Sequence, residues 1–132
     1  MVTQCSTEAE KTAGLIQMFN SVPKLVSAFN ILSGHLEAEV TGMSPGDQIS
    51  GEMVEMLAEL TEISRSIHTA LVILGCIPDP EIRTALGRVI LGEPWNSLMI
   101  SGEPALTKVT VYLFHHHKEI EQQFEKLIPS EA

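Results

Sequence analysis

The sequence predicts an all-α protein, an antiparallel helical bundle of four to five helices with no sheet. Apolar residues recur every three or four positions along most of the chain, which is the period of an amphipathic helix. Clusters of proline and glycine interrupt this period at only a few places. The length of 132 residues suits one hydrophobic core. We therefore expect a single domain over residues 1–132, with frayed ends at 1–5 and 129–132.

The N-terminal part of the chain predicts two helices in succession. Thr7 and Glu10 have the spacing of a capping box, so a first helix should run from about Ser6 to Asn20. Ser21 can cap a second helix, in whose first turn Pro23 is tolerated. The apolar residues of this second helix share one face, which predicts a core or an interface. They are Val22, Leu25, Phe29, Leu32, Leu36 and Val40.

A long third helix is predicted after the break at residues 42–47. It should run from about Ser50 to Leu74 and end at Gly75. Its apolar face keeps a coiled-coil-like step and consists of Met53, Met56, Leu57, Leu60, Ile63, Ile67, Leu71 and Leu74. Its other face carries Glu52, Glu55, Glu59 and Glu62. We interpret these glutamates as an ordinary solvated helix face without a chemical role.

The second half of the chain predicts a short helix, an apolar connector and a final long helix. Asp79 should cap the short helix, which spans about Pro80–Leu91. The connector Trp95–Gly102 is expected to be irregular or to form a brief helical turn. The final helix spans about Glu103–Leu127, although Lys108–Phe114 alternates in the manner of a strand. Because no partner strand is predicted elsewhere, we keep the helix.

Charge and cysteine usage limit the classes of function. The chain carries 17 acidic and 8 basic residues, for a net charge of -9. We expect no direct nucleic-acid binding, because that requires Lys and Arg to neutralise phosphates. The N-terminus does not resemble a signal peptide, and no apolar run approaches the ~20 residues of a membrane span. Cys5 and Cys76 are expected to be free thiols, so we predict a soluble, cytoplasmic protein without membrane contact.

A run of three histidines, residues 115–117, is the first candidate for chemistry. The first and third of them have a glutamate four residues later, and so does His35. Imidazole and carboxylate groups together suit zinc, iron or nickel, so two such helices could clamp a metal ion. The residues of this alternative metal site are His35, Glu39, His115, His117 and Glu121.

Known metal and catalytic motifs are nevertheless missing. The sequence has neither the Glu-x-x-His pattern of helical di-iron proteins nor the His-Glu-x-x-His of zincins. We therefore expect His116 and His117 to pack at the edge of the apolar face and His115 to pair loosely with Glu119. Gly-x-Ser-x-Gly and phosphate-binding loops are absent as well. The sequence predicts no catalytic residue, no cofactor and no enzyme activity.

The chain is acidic yet 44% hydrophobic, with a mean hydropathy of +0.15. A small bundle cannot bury all of this apolar surface, and the remainder tends to form patches that bind other proteins. The predicted partner-binding residues are Trp95, Leu98, Met99 and Ile100 in the connector and Leu60 and Ile67 on the third helix. For Trp95, a plug between core helices is an equally good interpretation.

These expectations favour a small regulatory or adaptor protein that acts by stoichiometric binding of another protein. One such role is an anti-activator or inhibitor that masks the dimerisation or DNA-binding surface of a partner such as a transcription regulator. We also expect a homodimer packed through the third or the last helix. Two alternatives stay open: a His/Glu metal-binding bundle acting as an enzyme or sensor, and a small-molecule sensor with a pocket near Trp95.

Overall fold

A computed structural model of the chain describes residues 7–127. Within this range the chain is mostly helical, as predicted. The helices are α1 (Glu8–Thr41), α2 (Gly51–Gly75), α3 (Pro80–Ile90) and α4 (Ala105–Leu127), with a 3-10 turn at Trp95–Ser97 and the two-residue strands β1 (Met99–Ile100) and β2 (Glu103–Pro104). None of the helices between residues 7 and 127 combines the length and the apolar character that a membrane span requires. The expected start at Ser6, the thiol of Cys5 and the frayed ends lie outside the described residues.

Helix α1 is continuous, so the prediction of two helices that meet at Asn20 and Ser21 was wrong. The hydroxyl of Ser21 donates to the Gln17 carbonyl at 2.8 Å, which is an intrahelical bond and not an N-cap. Pro23 therefore lies inside the helix, where its ring removes one backbone hydrogen bond. Phe19 and Val22 are fully buried beside it. Burial of these two side chains favours a helix that continues through the proline, because packing outweighs a local preference.

The predicted N-caps of α1 and α3 are confirmed, whereas α2 is capped by a residue that was not predicted as a cap. The Thr7 amide donates to Glu10 at 2.9 Å and the Glu10 amide donates to the Thr7 hydroxyl at 3.1 Å, which completes the capping box. Asp79 accepts hydrogen bonds from the first amides of α3, and Pro80 occupies its first turn. At the start of α2 the Ser50 hydroxyl accepts from the Met53 amide at 3.1 Å, so the cap is Ser50 and not Ser44, which the Ser44-Pro45 pair had predicted. Each cap satisfies amides that have no partner within the helix.

The chain forms two compact units. The first, which we call the core unit, comprises residues 7–23 and 70–127 of the described chain. The second, which we call the helix pair, comprises residues 24–69, from the latter part of α1 to most of α2. Helices α3 and α4 supply much of the core unit. Their buried apolar residues are Ile82, Ala85, Leu86 and Val89 on α3 and Ala105, Val109, Leu113 and Ile120 on α4.

Strands β1 and β2 form a small antiparallel sheet, so the prediction of no sheet was wrong. Met99 pairs with Pro104 and Ile100 pairs with Glu103. The two residues between the strands, Ser101 and Gly102, have φ values of 52° and 81°. Positive φ at both positions is the geometry of a type I′ turn, whose twist matches that of a hairpin. Helix α4 consequently begins at Ala105 and not at Glu103, while Lys108–Phe114 is helical as predicted.

Candidate functional site

Trp95 is fixed by a hydrogen bond within the core unit. Its indole Nε1 donates to Oδ1 of Asn20 at 2.6 Å. The side chain is half-buried, and the bond ties the 3-10 turn at Trp95–Ser97 to α1. This hydrogen bond gives Trp95 a structural role in positioning the connector. Its predicted role in partner binding stays a prediction.

Strand β1 divides the predicted connector residues between two environments. Successive side chains of a strand point to opposite faces. Leu98 and Ile100 are 3% and 7% exposed and belong to the core, whereas Met99 between them is 61% exposed. Met99 is therefore the exposed apolar residue of this strand.

A cavity of about 300 Å³ opens beside Met99. The buried residues Ala85, Leu98 and Ile100 help to line it, together with the polar residues Thr84 and Ser101. Glu81 and Arg88 also line it. A space of this size is at the lower limit for small-molecule sites, and its mixed apolar and polar lining suits one or two side chains of a peptide segment.

One acidic and one basic side chain line this cavity, Glu81 and Arg88. Arg88 Nε lies 2.8 Å from Glu93 Oε2, so this guanidinium is already paired within the chain. Glu81 forms no salt bridge within residues 7–127. The cavity thus combines apolar lining residues with a carboxylate that forms no salt bridge among residues 7–127, which suits an apolar group next to a basic one.

The predicted residues on α2, Leu60 and Ile67, are half-buried in the helix pair. Within residues 24–69 only Met53 and Ile63 are buried apolar residues. The large apolar side chains exposed there are Val26, Ile31, Val40, Ile49, Val54 and Leu57. The helix pair therefore leaves much of its apolar surface in contact with solvent, which is typical of a surface that binds another helix.

The three histidines occupy three different environments. His115 is exposed, with its ring 5.4 Å from that of Phe114 in an edge-to-face arrangement. His116 Nδ1 lies 3.1 Å from Glu119 Oε1, so the predicted pairing of His115 with Glu119 was wrong. The i,i+3 spacing brings His116 to the carboxylate instead. His117 is 2% exposed and belongs to the core.

The described residues do not assemble the alternative metal site. No group of three or more His, Cys, Asp and Glu side chains among residues 7–127 is placed to hold a metal ion. His117 Nδ1 is 3.1 Å from the Phe114 carbonyl, to which it donates, and Glu121 is 3.6 Å from Lys11 Nζ. Two of the proposed ligands are thus engaged in other interactions.

Two further cavities, of about 450 and 530 Å³, lie on either side of Tyr112 and His116 in the core unit. Burial raises the pKa of the Tyr112 hydroxyl, and the carboxylates of Asp79 and Glu119 raise it further. Cys76, a free thiol, lines the larger cavity, and burial raises its pKa too. A protonated thiol is a poor nucleophile, so the chemistry of this cavity does not favour covalent catalysis.

Comparison with protein-family models, with curated proteins and with solved structures found no match to this chain.

Proposed function

We propose that this chain is a small acidic regulatory or adaptor protein that acts by stoichiometric binding of another protein at the Met99 cavity. One observation carries the proposal: Met99 is 61% exposed and lines a cavity together with the buried apolar residues Ala85, Leu98 and Ile100. Exposed methionine beside an apolar depression is typical of a protein-binding surface, because the flexible thioether adapts to the shape of a partner.

The rigidity of the surrounding segment supports this proposal. The type I′ turn and the pairing of β1 with β2 fix the backbone on both sides of Met99. The Ala105 amide, which donates to the Leu98 carbonyl at 2.9 Å, joins the hairpin to the start of α4. A preordered surface loses little conformational entropy when a partner binds.

The charge of the chain supports a basic partner. A net charge of -9 attracts cationic surfaces, and the carboxylate of Glu81 lies at the cavity itself. Basic surfaces are those with which transcription regulators bind DNA. The proposed role is therefore that of an anti-activator or inhibitor that covers the DNA-binding or dimerisation surface of such a regulator. The proposal places this role in the cytoplasm, where free thiols such as Cys76 persist.

The test compares two alanine variants that differ in their distance from the cavity. Met99→Ala removes the exposed anchor, whereas Leu91→Ala removes a side chain that is 83% exposed in the same unit but does not line the cavity. Tagged protein is used to capture partners from its own cell lysate, and the affinity of the purified partner is then measured by calorimetry. We expect Met99→Ala to weaken binding at least about tenfold and Leu91→Ala to leave it unchanged.

Glu81→Gln tests the expected charge of the partner. It should weaken binding and reduce its salt dependence, because one carboxylate is lost from the cavity edge. If no partner is captured, or if the captured partner binds Met99→Ala as tightly as it binds the unaltered chain, the proposal is wrong. Circular dichroism of each variant establishes that the fold is retained.

A further inference from the structure

Strand β1 leaves the backbone of Met99 without a hydrogen-bond partner. The Ala105 amide donates to the Leu98 carbonyl at 2.9 Å, and Ile100 pairs with Glu103 across the two-residue turn. Met99 lies between these two hydrogen-bonded pairs. In an antiparallel ladder, a residue at such a position points its N–H and C=O away from the neighbouring strand. Within residues 7–127, neither group of Met99 takes part in a hydrogen bond.

The two edges of the hairpin differ in their capacity to pair with a further strand. We call the side of β1 to which the Met99 N–H and C=O point the open edge. On the other side of the hairpin, the corresponding residue of β2 is Pro104, which has no N–H to donate. The chain also leaves the sheet there, since α4 begins at Ala105. A strand that extends this hairpin therefore adds to β1 and not to β2.

The Met99 cavity lies along the open edge. Successive side chains of a strand point to opposite faces, yet the four consecutive residues 98–101 all line the cavity. Neither residue of β2 lines it. A cavity that touches every residue of β1 and none of β2 is beside the free edge of the sheet and not over one of its faces. Residues of α3 line the same cavity.

We infer that an extended segment of the partner adds to the open edge as a third, antiparallel strand, with one of its residues opposite Met99. This inference rests on the proposed function and specifies the form that the partner takes at the Met99 cavity. A single residue of an antiparallel strand satisfies both backbone groups, because it donates its N–H to the Met99 carbonyl and accepts from the Met99 N–H. Such backbone hydrogen bonds give affinity to segments that add to a sheet edge.

The alternation of side chains determines which residues of the segment are recognised. The residue opposite Met99 shares the exposed face of Met99, so its side chain is unspecified. Its two neighbours share the face of Leu98 and Ile100, which are buried and line the cavity. The segment is thus recognised at two positions with one residue between them. The cavity volume of about 300 Å³ suits these two side chains.

The charges of α3 set the order of the two recognised side chains. Glu81 and Ile100 line both the Met99 cavity and the neighbouring cavity of about 450 Å³, whereas Arg88 and Leu98 line only the first of the two. Glu81 therefore lies towards the Ile100 end of β1. A basic side chain suits the position opposite Ile100, and an apolar one suits the position opposite Leu98. An antiparallel segment passes Ile100 first, so the recognised order is basic, any, apolar.

Synthetic peptides added to the full-length chain test this order. The probe is the blocked peptide Ser-Thr-Lys-Thr-Val-Thr-Ser, and its matched control is the reversed sequence Ser-Thr-Val-Thr-Lys-Thr-Ser. NMR of the isotope-labelled chain measures the dissociation constant and the hydrogen exchange of the Met99 amide. We expect the saturated probe to slow this exchange at least about tenfold, because the amide becomes hydrogen-bonded. The reversed peptide should bind at least about fivefold more weakly, since it places its lysine towards Arg88.

N-methylation of the probe separates backbone pairing from side-chain contacts. A methyl group on the nitrogen of the central Thr removes the donor that an antiparallel strand directs at the Met99 carbonyl. The same group on the Val nitrogen is the control, because that N–H points away from β1. We expect the first change to raise the dissociation constant at least about tenfold and the second to raise it less than about twofold. In a parallel strand the Val N–H faces β1 instead, so the reverse pattern overturns the antiparallel pairing.

Met99→Pro tests the same hydrogen bond with the captured partner. Leu98 has a φ of -108° and a ψ of 133°, an extended conformation that suits a residue before proline. The Met99 N–H makes no bond within the hairpin, so the proline removes none there. Met99→Ala is the matched control, since it removes the side chain and retains the N–H. We expect Met99→Pro to weaken binding at least about fivefold more than Met99→Ala.

The outcomes distinguish this inference from the proposed function. A probe that does not bind, or that binds without protecting the Met99 amide, overturns the inference, and so does a partner that binds Met99→Pro as tightly as Met99→Ala. The proposed function survives these results as long as Met99→Ala weakens binding of the captured partner. If no partner is captured, or if Met99→Ala has no effect on it, the proposed function fails and the inference fails with it. If Met99→Pro does not fold, the peptides decide.

Discussion

Trp95 and Asn20, which are 75 positions apart in sequence, are joined by a hydrogen bond of 2.6 Å between the indole Nε1 and the amide Oδ1. The bond attaches the turn before β1 to the N-terminal part of α1. Because Met99 lies two residues after this turn, the bond helps to hold the proposed binding surface in place. The protein has one tryptophan, so its fluorescence reports on this contact.

Loss of the Asn20 side chain should therefore destabilise the core unit. We expect Asn20→Ala to lower the free energy of unfolding by about 1 kcal/mol, since a half-buried indole N–H would lose its acceptor. Urea unfolding followed by tryptophan fluorescence measures this change. Asn30→Ala, an exposed position in the same helix, is the control for the higher helix propensity of alanine. Equal stabilities of the two variants would show that the hydrogen bond contributes nothing.

Asp79 should stabilise α3 through its N-cap. Its Oδ1 accepts from the Glu81 amide at 2.9 Å and from the Ile82 amide at 3.1 Å. We expect Asp79→Ala to lower the free energy of unfolding by about 1 kcal/mol and Asp79→Asn to lower it much less, because asparagine retains the acceptor oxygen. Thermal unfolding of both variants is the measurement. If both variants lose a similar free energy of unfolding, the negative charge of Asp79, and not its hydrogen bonds to the helix amides, stabilises α3.

The sequence was most informative where structure depends on neighbouring residues. The caps formed by Thr7 and Asp79 were predictable because a side-chain oxygen and the amides that it accepts from are two or three residues apart. The helical state of Lys108–Phe114 was predictable from the lack of a partner strand. These features need no information about the rest of the chain.

The continuity of α1 and the hairpin show where such local inference fails. Ser21 and Pro23 carry a valid start signal, and burial of Phe19 and Val22 overrides it. The hairpin had its own signal in the dipeptide Ser101-Gly102, which favours a tight turn. Strands of two residues are too short for the alternation of apolar and polar residues to be recognised.

The candidate site was predicted as a segment but not residue by residue. Leu98, Met99 and Ile100 are equally apolar in sequence, and only the register of β1 separates the exposed residue from the buried ones. The partner of Trp95 could not be predicted, because Asn20 is distant in sequence and has no distinguishing pattern around it. Tertiary contacts of this kind follow from the folded arrangement and not from local spacing.

The rate at which the Cys76 thiol is alkylated tests whether this side chain is buried in the folded protein. Burial raises the pKa of its thiol, so the reactive thiolate is scarce at neutral pH and the sulfur is shielded from reagents. In a Cys5→Ser background we expect alkylation at pH 8 to be at least about tenfold slower in the folded protein than in urea. The rate should rise with pH. Equal rates in both states would show that the thiol is accessible.

The raised pKa of Cys76 also makes the stability of the folded protein depend on pH. Folding raises the pKa of this thiol, so the folded protein holds the proton up to a higher pH than the unfolded chain does. The resulting contribution to the free energy of unfolding is fully present below the pKa of the unfolded chain, and it is lost as the pH rises through the pKa of the folded protein. Stability should therefore fall in the alkaline range. Cys76→Ala should reduce this fall, and adding Tyr112→Phe should reduce it further, since burial raises the pKa of Tyr112 as well. Urea unfolding at a series of pH values measures the effect.

His117 is a buried polar residue that the fold satisfies only in part. Nδ1 donates to the Phe114 carbonyl at 3.1 Å, and Nε2 is buried without a hydrogen-bond partner among residues 7–127. A buried acceptor in this state costs about 1–3 kcal/mol. We therefore expect His117→Leu to raise the free energy of unfolding by about 1 kcal/mol, because leucine fills a similar space without a polar atom.

The control for this prediction is His115→Leu, which makes the same change at an exposed position two residues away. It should alter stability by less than about 0.5 kcal/mol, and it corrects for the higher helix propensity of leucine. If His117→Leu destabilises the protein instead, Nε2 must have a partner in solution. Such a partner would be a water molecule or a metal ion that enters the core beside α4. Thermal unfolding of the unaltered chain and of His117→Leu in the presence of zinc distinguishes the two. Only a bound metal raises the melting temperature of the unaltered chain and leaves that of His117→Leu unchanged.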